Sequence, residues 1–443
     1  MMSESNQTQI KKQEKNMQQN GDHSSVDTHR MEAQKRVLFS VIKNFLESRT
    51  NTQLDLWLKT YFRAHKKFGS KDRKFIRHHF YHILRKSGFY LILEDAGRWE
   101  KSVENIETGA DLRDFLLSNL SRVLNLHFEH ENRHFCNLNG SQEKKYEISI
   151  AGARDLAAAL SLPMSMARQM YPRVAKMSEE EKTTFLDHFL TQNRTWAYLK
   201  NHENLELLTK KSNEKGVQLE SDKNNLWFAP STKISRLQLE TNHIFEIQDL
   251  ASQKLCALTH LEISPKKIWD CCAGAGGKTL QLARQYPKAS FLASDPRESA
   301  LKELGRRWKA SGHSSSIRTE QGKISQLSER LVRETFDFIF IDAPCSSSGV
   351  LRRQPDLKLH YTDKMLRQIR KVQTSILNTA LKHLEPHGYL VYATCSAFAE
   401  ENEAVVERFL SENKNMKQIE STYTGSPDIN ADIMFRAVLQ KID

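Results

Sequence analysis

Through much of the first 190 residues, apolar positions recur with the 3.6-residue period of an amphipathic helix. The first predicted helix covers 31–50, and its apolar stripe consists of Val37, Leu38, Val41, Phe45 and Leu46. A second helix is predicted to begin at Ser70, after Gly69, and to stop at Gly88, because serine favours helix starts and glycine favours helix ends. Its apolar stripe consists of Ile76, Phe80, Ile83 and Leu84.

Helical periodicity continues to residue 190, with one polar loop predicted over 129–145. Ser178 and Glu181 have the spacing of a capping box. The apolar stripe that follows this box consists of Phe185, Leu186, Phe189 and Leu190. From about residue 193 the pattern changes to short mixed segments, such as 227–229, which predict strands of a small α/β module.

The last third of the chain alternates between strand and helix patterns. Four apolar runs are predicted as strands: Lys267–Asp270, Ser290–Asp295, Phe336–Asp342 and 389–393. Helical patterns separate these strands over 279–285, Glu298–Ser311 and 363–384. This alternation predicts an α/β fold with a doubly wound parallel sheet, whose ligand binds at the carboxyl ends of the strands.

Composition divides the chain further. The first 30 residues are rich in glutamine, asparagine and serine and contain no aromatic residue, so we predict a mobile tail there. The predicted parts are therefore a tail (1–30), a helical domain (31–150), linker helices with the small α/β module (151–262), and the α/β domain (263–443). Six cysteines without a C-x-x-C pair predict neither a disulfide framework nor a structural metal, and they suit a reducing cytoplasm.

Charge indicates the class of partner. The chain has 66 basic and 54 acidic residues, so a polyanion is the expected large partner. Within 61–90, nine Lys and Arg and four His accompany a single acid, Asp72, which makes a phosphate-binding surface as credible as a merely solvated face. No apolar run approaches the roughly 20 residues of a membrane helix, and no secretory signal is evident, so we expect no membrane association.

A glycine-rich turn, Asp270-Cys-Cys-Ala-Gly-Ala-Gly-Gly-Lys-Thr279, links the first predicted strand to a helix. Three interpretations compete for it. A nucleoside triphosphate loop fits Gly277-Lys278-Thr279 but has Cys272 where its first glycine belongs. S-adenosylmethionine fits because Asp295, at the end of the next strand, is placed to bind ribose hydroxyls. A purely structural turn is the third interpretation, whereas a dinucleotide fingerprint fails at Thr279.

Two cysteines, Cys345 and Cys395, directly follow predicted core strands. A lone cytosolic cysteine is usually a small buried hydrophobe. Two of them at the ligand edge suggest covalent catalysis on a pyrimidine, in which a thiolate adds to carbon 6 and activates carbon 5. Such a site also needs an acid at ring nitrogen 3 and a base that removes the carbon 5 proton.

At these residues the chain resembles the RsmB/Sun family of RNA cytosine-5 methyltransferases. The resemblance rests on the 272–279 turn, on 342–356 and on 392–396 with Glu401-Asn402-Glu403. Upstream, 245–253 is similar to the segment before the family's catalytic domain. Gly69-Ser-Lys-Asp-Arg73, with Leu84-Arg85, resembles its NusB-like RNA-binding N-terminal domain.

The resemblance implies a Rossmann-like domain that binds S-adenosylmethionine and methylates RNA, with ribosomal RNA as the expected substrate. We expect the protein to be a monomer. It implies that Cys395 is the nucleophile, that Cys345 assists product release, and that Asp342, oriented by Lys278, contacts cofactor and base. The cofactor residues that it implies are Cys272, Ala273, Gly274, Ala275, Gly276, Gly277, Lys278, Asp295 and Asp342. Arg352 and Arg353 are candidates either for RNA phosphate contacts or for a surface role.

The sequence departs from the family pattern at three places. Lys323 follows Gly322 where the family has an acid that meets the adenine, and Gly274-Ala275 replaces Ala-Pro. Ala300 stands where an arginine is usual, although Arg297 could substitute for it. Two other functions therefore stay open from the residues alone: an NTP-binding nucleic-acid factor, and a non-catalytic RNA-binding protein.

Overall fold

The computed structural model describes residues 30–136, 149–191, 194–199, 204–222, 225–229, 232–237, 244–261, 263–425 and 429–442. The tail predicted over 1–30 lies outside these ranges except for its last residue, and so does most of the polar loop predicted over 129–145. None of the helices in these ranges combines the length and apolar character that crossing a bilayer requires.

The first described part of the chain is helical. Its helices are α1 (30–47), α2 (Leu54–Ala64), α3 (Ser70–Val103), α4 (Gly109–Ser118), α5 (Leu120–Cys136), α6 (Ala153–Leu160), α7 (Met164–Val174) and α8 (Glu179–Leu190). Their apolar stripes share one core, which includes Leu38, Phe45, Ile76, Phe80 and Phe185. The capping box of α8 is confirmed, since the backbone N–H of Ser178 donates to Glu181 Oε2 (2.7 Å) and that of Glu181 to Ser178 Oγ (3.3 Å).

The predicted helix stop at Gly88 is wrong, because α3 continues past this residue and, after a kink at Asp95, ends at Val103. A Cβ atom at Gly88 would lie 2.1 Å from the backbone oxygen of Ala158 and 2.7 Å from Ser161 Oγ. This glycine therefore serves the close packing of α3 against α6 and does not end the helix. Two smaller corrections concern Val37, which is 36% exposed, and the loop predicted from residue 129, where α5 instead continues to Cys136.

A small antiparallel sheet follows the helices. It contains β1 (Thr195–Leu199), β2 (Leu219–Asp222), β3 (Asn225–Phe228) and β4 (Phe245–Ile247) in the order β2-β3-β1-β4. Helix α9 (Asn204–Lys215) lies between β1 and β2 in the chain. The short helix α10 (Leu250–Leu255) leads to the larger sheet.

The larger sheet has seven strands: β5 (Lys267–Asp270), β6 (Ser290–Asp295), β7 (Ile317–Gln321), β8 (Phe336–Asp342), β9 (Leu384–Thr394), β10 (Met416–Tyr423) and β11 (Phe435–Lys441). Their order is β10-β11-β9-β8-β5-β6-β7. Strands β5 to β9 are parallel, and β11 runs antiparallel to both β9 and β10. The helices that join these strands are α11 (Gly277–Gln285), α12 (Glu298–Ser311), α13 (Ile324–Arg330), α14 (Asp363–Leu381) and α15 (Glu403–Glu412).

The doubly wound α/β fold predicted from the alternating pattern is confirmed. Because β6 and β7 continue from β5 on one side and β9 continues from β8 on the other, the winding reverses between β5 and β8. Ligands of such sheets bind outside the carboxyl ends of the strands at this reversal. Several bounds differ from prediction: α11 begins at Gly277, α14 ends at Leu381, and β9 spans Leu384–Thr394.

The helical part packs directly on the segment 352–361, which follows β8. The backbone N–H of Leu54 donates to Asp356 Oδ2 (2.9 Å), and Lys358 Nζ donates to the backbone oxygen of Leu160 (3.0 Å). The guanidinium of Arg85 donates to the backbone oxygen of Arg352 at 2.9 and 3.1 Å. The segment next to one candidate cysteine is thus held by the N-terminal helices.

Candidate active site

Asp270, the last residue of β5, supports the glycine-rich turn that follows it. Its carboxylate accepts a hydrogen bond from Thr279 Oγ1 (2.6 Å) and one from the backbone N–H of Cys272 (3.4 Å), so it ties the two ends of the turn together. Asp270 is only 1% exposed, and this burial raises its pKa to about 7. Asp270 therefore shapes the turn and does not face a ligand.

The turn itself keeps its backbone open toward the sheet edge. Gly274 and Gly276 have positive φ values of 54° and 84°, and a Cβ at Gly276 would lie 2.0 Å from Leu304 Cδ1. A Cβ at Gly277 would meet nothing within 4 Å, so the start of α11 faces open space. The backbone N–H of Ala273 donates to Ser294 (2.9 Å), which anchors the turn to β6. A ligand can therefore approach this backbone closely.

Asp295 ends β6 beside this turn. Its carboxylate accepts hydrogen bonds from the backbone N–H of Gly274 (3.0 Å) and from Nε and Nη2 of Arg297 (2.9 and 3.0 Å). Burial raises the pKa of Asp295, but the hydrogen bonds from Arg297 and Gly274 outweigh burial and hold that pKa below its usual value. An ionised carboxylate beside an open glycine turn fits the ribose and methionine portions of S-adenosylmethionine.

Lys278 and Asp342 form an ion pair across the reversal point, with Nζ 2.7 Å from Oδ2. Although burial disfavours the charged ammonium, Asp342 raises the pKa of Lys278 above its ordinary value. In a phosphate-binding loop the lysine is directed toward the phosphates of the ligand. Here Lys278 is already committed to the residue that ends β8, which disfavours the NTP interpretation.

The two candidate cysteines meet at this edge. Cys345 Sγ lies 3.2 Å from Cys395 Sγ, which is longer than the roughly 2.05 Å of a disulfide bond, and both thiols are free. The hydrogen bond from Cys345 lowers the pKa of Cys395, and Ser347 Oγ, 3.5 Å from the same sulfur, acts in the same direction. The same contact raises the pKa of Cys345 well above its usual value. Cys395 is therefore the more acidic thiol of the pair, and Cys345 is the less acidic one.

Glu401 holds the two cysteine segments together. Its Oε1 accepts from the backbone N–H of Ser346 (2.8 Å), and its Oε2 accepts from Ser346 Oγ and from Ser396 Oγ (both 2.5 Å). Gln373 Nε2 donates to Glu401 (3.1 Å) and to the backbone oxygen of Pro344 (2.9 Å). Sequence reasoning noted Glu401 only as part of a motif and had no signal for Gln373. A fully buried carboxylate thus aligns the residues next to both thiols.

The two arginines proposed for RNA contacts are placed differently. The prediction that Arg352 contacts RNA phosphates or lies on the surface is wrong, because its side chain is fully buried. It lies 3.5 Å from carboxylates of both Asp249 and Asp432, and Nη1 donates to Asn430. Arg353 is partly exposed but pairs with Asp432 (2.6 Å). Both arginines therefore connect the segment after the Cys345 loop to α10 and to the loop before β11.

The three departures from the family pattern lie around the cofactor turn. Arg297, three positions before Ala300, occupies both oxygens of Asp295. Lys323 is exposed, and its backbone N–H donates to Gln326 (3.2 Å) at the start of α13. Ala275 accepts a hydrogen bond from Arg307 Nη1 (2.6 Å), which braces the turn where the family has proline. At two of these positions, contacts from Arg297 and Arg307 therefore support the turn and the adjacent Asp295 in place of the residues that are usual in the family.

Comparisons with known proteins agree with this geometry. Residues 259–438 match the family described as 16S rRNA methyltransferase RsmB/F. The ribosomal RNA small subunit methyltransferase B of Salmonella arizonae is 36% identical over 182 residues, which cover 41% of this chain and 41% of that protein. The protein of the same description from Enterobacter sp. strain 638 is 37% identical over 183 residues, again 41% of each chain. The match thus spans less than half the length of these curated relatives.

Solved structures extend the similarity of the fold. A protein described as PH0851 superposes with a TM-score of 0.64 and 18% identity over 92% of this chain and 98% of that one. The structure of NSun6 from Pyrococcus horikoshii with SFG superposes with a TM-score of 0.51 and 17% identity, and the match covers 62% of this chain and 98% of that one. At these identities the superpositions show the fold alone. Residues 259–438 are thus similar in sequence to the RsmB/F methyltransferase family, and the chain shares the fold of these solved structures.

Proposed function

We propose that this protein methylates carbon 5 of a cytosine in ribosomal RNA, with S-adenosylmethionine as methyl donor and Cys395 as nucleophile. The observation that carries the proposal is the pair of free thiols 3.2 Å apart, beside the Lys278–Asp342 ion pair at the reversal point of the sheet. The match of residues 259–438 to the 16S rRNA methyltransferase RsmB/F family supports the reaction class and the RNA substrate. The names of the relatives support ribosomal RNA.

The cofactor would be held by the 272–278 turn, by Asp295 and by Asp342. When bound, it supplies an electrophilic methyl group on a sulfonium. The backbone of the turn would accept the close approach of the methionine portion, and the Asp295 carboxylate would accept hydrogen bonds from ribose hydroxyls. Arg297 would have to share or release Asp295, which is feasible because its side chain is 68% exposed.

The first chemical step would be addition of the Cys395 thiolate to carbon 6 of the cytosine. A sulfur–carbon bond forms, and the electron pair of the carbon 5–carbon 6 double bond becomes available at carbon 5. The ring needs a proton donor at nitrogen 3 as this density builds, and the Lys278–Asp342 pair keeps a proton at the reacting edge. Cys395 is suited to this role because its pKa lies below the usual value.

The second step would be release of the product. Carbon 5 would accept the methyl group, and the sulfonium would leave as a neutral thioether. Cys345 would then remove the proton from carbon 5, the carbon 5–carbon 6 double bond would re-form as Cys395 leaves as a thiolate, and nitrogen 3 would return its proton to the Lys278–Asp342 pair. In the free enzyme the hydrogen bond with Cys395, together with burial, raises the pKa of Cys345. Once the sulfur of Cys395 is bonded to carbon, it can no longer take part in that hydrogen bond as a thiolate, so Cys345 can lose its proton to solvent and act as the base.

The target base must leave its stack to reach these sulfurs, as for other enzymes that act on nucleobases. The test uses the full chain, unmodified small-subunit rRNA and methyl-labelled S-adenosylmethionine. We expect Cys395→Ala to abolish label in 5-methylcytosine, and Cys345→Ala to accumulate a covalent protein–RNA adduct that survives denaturing gels. Normal turnover by Cys395→Ala, or label in any other nucleoside, would overturn the proposal.

Calorimetry separates the remaining functions. We expect heat on titration with S-adenosylmethionine and none with ATP and magnesium. Heat with ATP alone would establish the NTP-binding factor instead. RNA binding without any binding of the methyl donor would establish a non-catalytic RNA-binding protein.

A further inference from the structure

The outer face of α14 carries a stripe of three basic side chains. Lys364, Arg367 and Lys371 are spaced by three and four residues, so they lie on one face of the helix, and all three are exposed. Within the described ranges, no ion pair or hydrogen bond of these side chains is found. The neighbouring Arg370, in contrast, pairs with Glu400. We call Lys364, Arg367 and Lys371 the α14 stripe.

Helix stability does not account for the position of this stripe. Cations stabilise a helix near its carboxyl end, where the helix dipole is negative, and acids stabilise its first turn. Helix α14 has an acid, Asp363, in its first turn, but all its basic residues lie within 364–371 and its last turn has none. The helix dipole therefore does not account for the position of these basic residues.

The basic half of α14 lies at the catalytic edge of the sheet. Helix α14 connects the parallel strands β8 and β9, so it begins near their carboxyl ends and runs back toward their amino ends. Its buried face supports the thiols, because Gln373 donates to the backbone oxygen of Pro344 and to Glu401. The α14 stripe is thus on the outside of the helix whose inside holds the Cys345 segment.

We propose that the α14 stripe binds phosphates of the RNA strand next to the target cytosine. The proposal rests on the function proposed above. Three cations over about 10 Å of helix, given a rise of about 1.5 Å per residue, complement a polyanion and would hold the strand against the catalytic edge. The sequence predicts candidate phosphate contacts within 61–90 and at Arg352 and Arg353, so the α14 stripe is a separate contact region.

The experiment compares two full-length variants with equal loss of charge. One is Lys364→Gln/Arg367→Gln/Lys371→Gln. The control is Lys302→Gln/Arg306→Gln/Lys309→Gln, which removes three exposed cations at similar spacing from α12. The Kd for unmodified small-subunit rRNA is measured at several salt concentrations, together with kcat at saturating RNA and the Kd for S-adenosylmethionine.

We expect the slope of log Kd against log salt to fall by about 2 in the α14 variant, since each lost phosphate contact removes roughly 0.7 to 0.9. The slope of the control variant should equal that of the unaltered protein. In both variants, kcat at saturating RNA and the Kd for S-adenosylmethionine should be unchanged. If the unaltered protein neither binds nor methylates this RNA, the proposed function fails and the inference fails with it. If the unaltered protein does both and the two variants behave alike, the inference alone is overturned.

Discussion

Cys345 Sγ lies 3.2 Å from Cys395 Sγ, although 50 positions separate the two residues in the chain. The contact makes the thiols unequal, because it lowers the pKa of one and raises the pKa of the other. The two thiols therefore differ in acidity, and Cys395 is the more acidic of the two.

This inequality can be measured by alkylation. With a neutral alkylating reagent at pH 7, Cys395 should react before Cys345, because only the thiolate is the nucleophile. Cys345→Ala removes the main hydrogen bond that stabilises the Cys395 thiolate, so the pKa of Cys395 should rise and its rate–pH profile should shift to higher pH. Peptide mass spectrometry at a series of pH values follows both residues. Ser347→Ala, which removes the longer contact, should produce the same shift with smaller size.

Glu401→Gln tests whether the buried carboxylate sets the geometry of the thiols. Glutamine keeps the shape but replaces an oxygen that accepts from the hydroxyl groups of Ser346 and Ser396 with an N–H donor. We expect kcat to fall at least tenfold and the free energy of unfolding to fall by about 2 kcal/mol, since donors become unsatisfied in the interior.

The Kd values for RNA and for the methyl donor should stay within twofold in Glu401→Gln. The control is Glu400→Gln, which removes only the partly exposed pair with Arg370 and should leave kcat unchanged. Wild-type kcat in Glu401→Gln would show that the thiols are positioned without this carboxylate.

Gly88→Ala tests the close contact between α3 and α6. The added methyl group would lie 2.1 Å from the backbone oxygen of Ala158, so we expect about 2 kcal/mol of destabilisation from overpacking. Gly97→Ala, in the same helix, is the control, since its Cβ would meet only Asp95 Oδ1 at 3.9 Å. There the greater helix propensity of alanine should leave stability unchanged or raise it by up to about 1 kcal/mol. Urea denaturation measures both, and equal effects would contradict the packing role.

Lys358 gives a prediction for pH. Burial lowers the pKa of this lysine to about 7, whereas the unfolded chain keeps the ordinary value near 10.4. Between these pH values the unfolded state binds a proton that the folded state does not, so stability contributed at this site should rise as the pH rises. Lys358→Met should remove that rise and should stabilise the protein at pH 7 by about 2 kcal/mol.

Denaturation of wild type and Lys358→Met at pH 7 and pH 10 measures the difference between the two proteins. Lys309→Met, at an exposed position, should leave the wild-type profile unchanged. A Lys358→Met profile parallel to the wild type would mean that the lysine is charged when folded.

The core strands of the large sheet were predictable to the residue at β5, β6 and β8, because strands buried on both faces appear as continuous apolar runs. The strand β7, Ile-Arg-Thr-Glu-Gln, lies at the sheet edge with exposed positions and has no such run, so the sequence pattern did not reveal it. Gly88 misled the prediction of α3 because the same residue type serves helix ends and close helix packing, and only the position of α6 distinguishes the two.

For the candidate site, spacing alone placed Cys345, Cys395, Asp342 and Asp295 at strand ends, and the structure brings all four to one edge of the sheet. Their chemical roles remain predictions. What the sequence could not show are contacts between distant positions. Arg352 reads as a surface residue until Asp249 and Asp432, about 100 and 80 positions away, neutralise it in the interior. The positioning contacts of Gln373 likewise become visible only when the fold brings it next to Pro344 and Glu401.

The side chains of Leu351, Tyr361 and Phe398, which flank the two cysteine segments, belong to the same hydrophobic core as the N-terminal helices. A fragment cut at residue 259 would leave those side chains facing water and would free Lys358 from its carbonyl partner. The portion of the chain that its relatives match, 259–438, thus completes part of its hydrophobic packing with the N-terminal helices, which these matches do not cover. Replacing those helices with another RNA-binding module would therefore require a new apolar surface against Leu351, Tyr361 and Phe398.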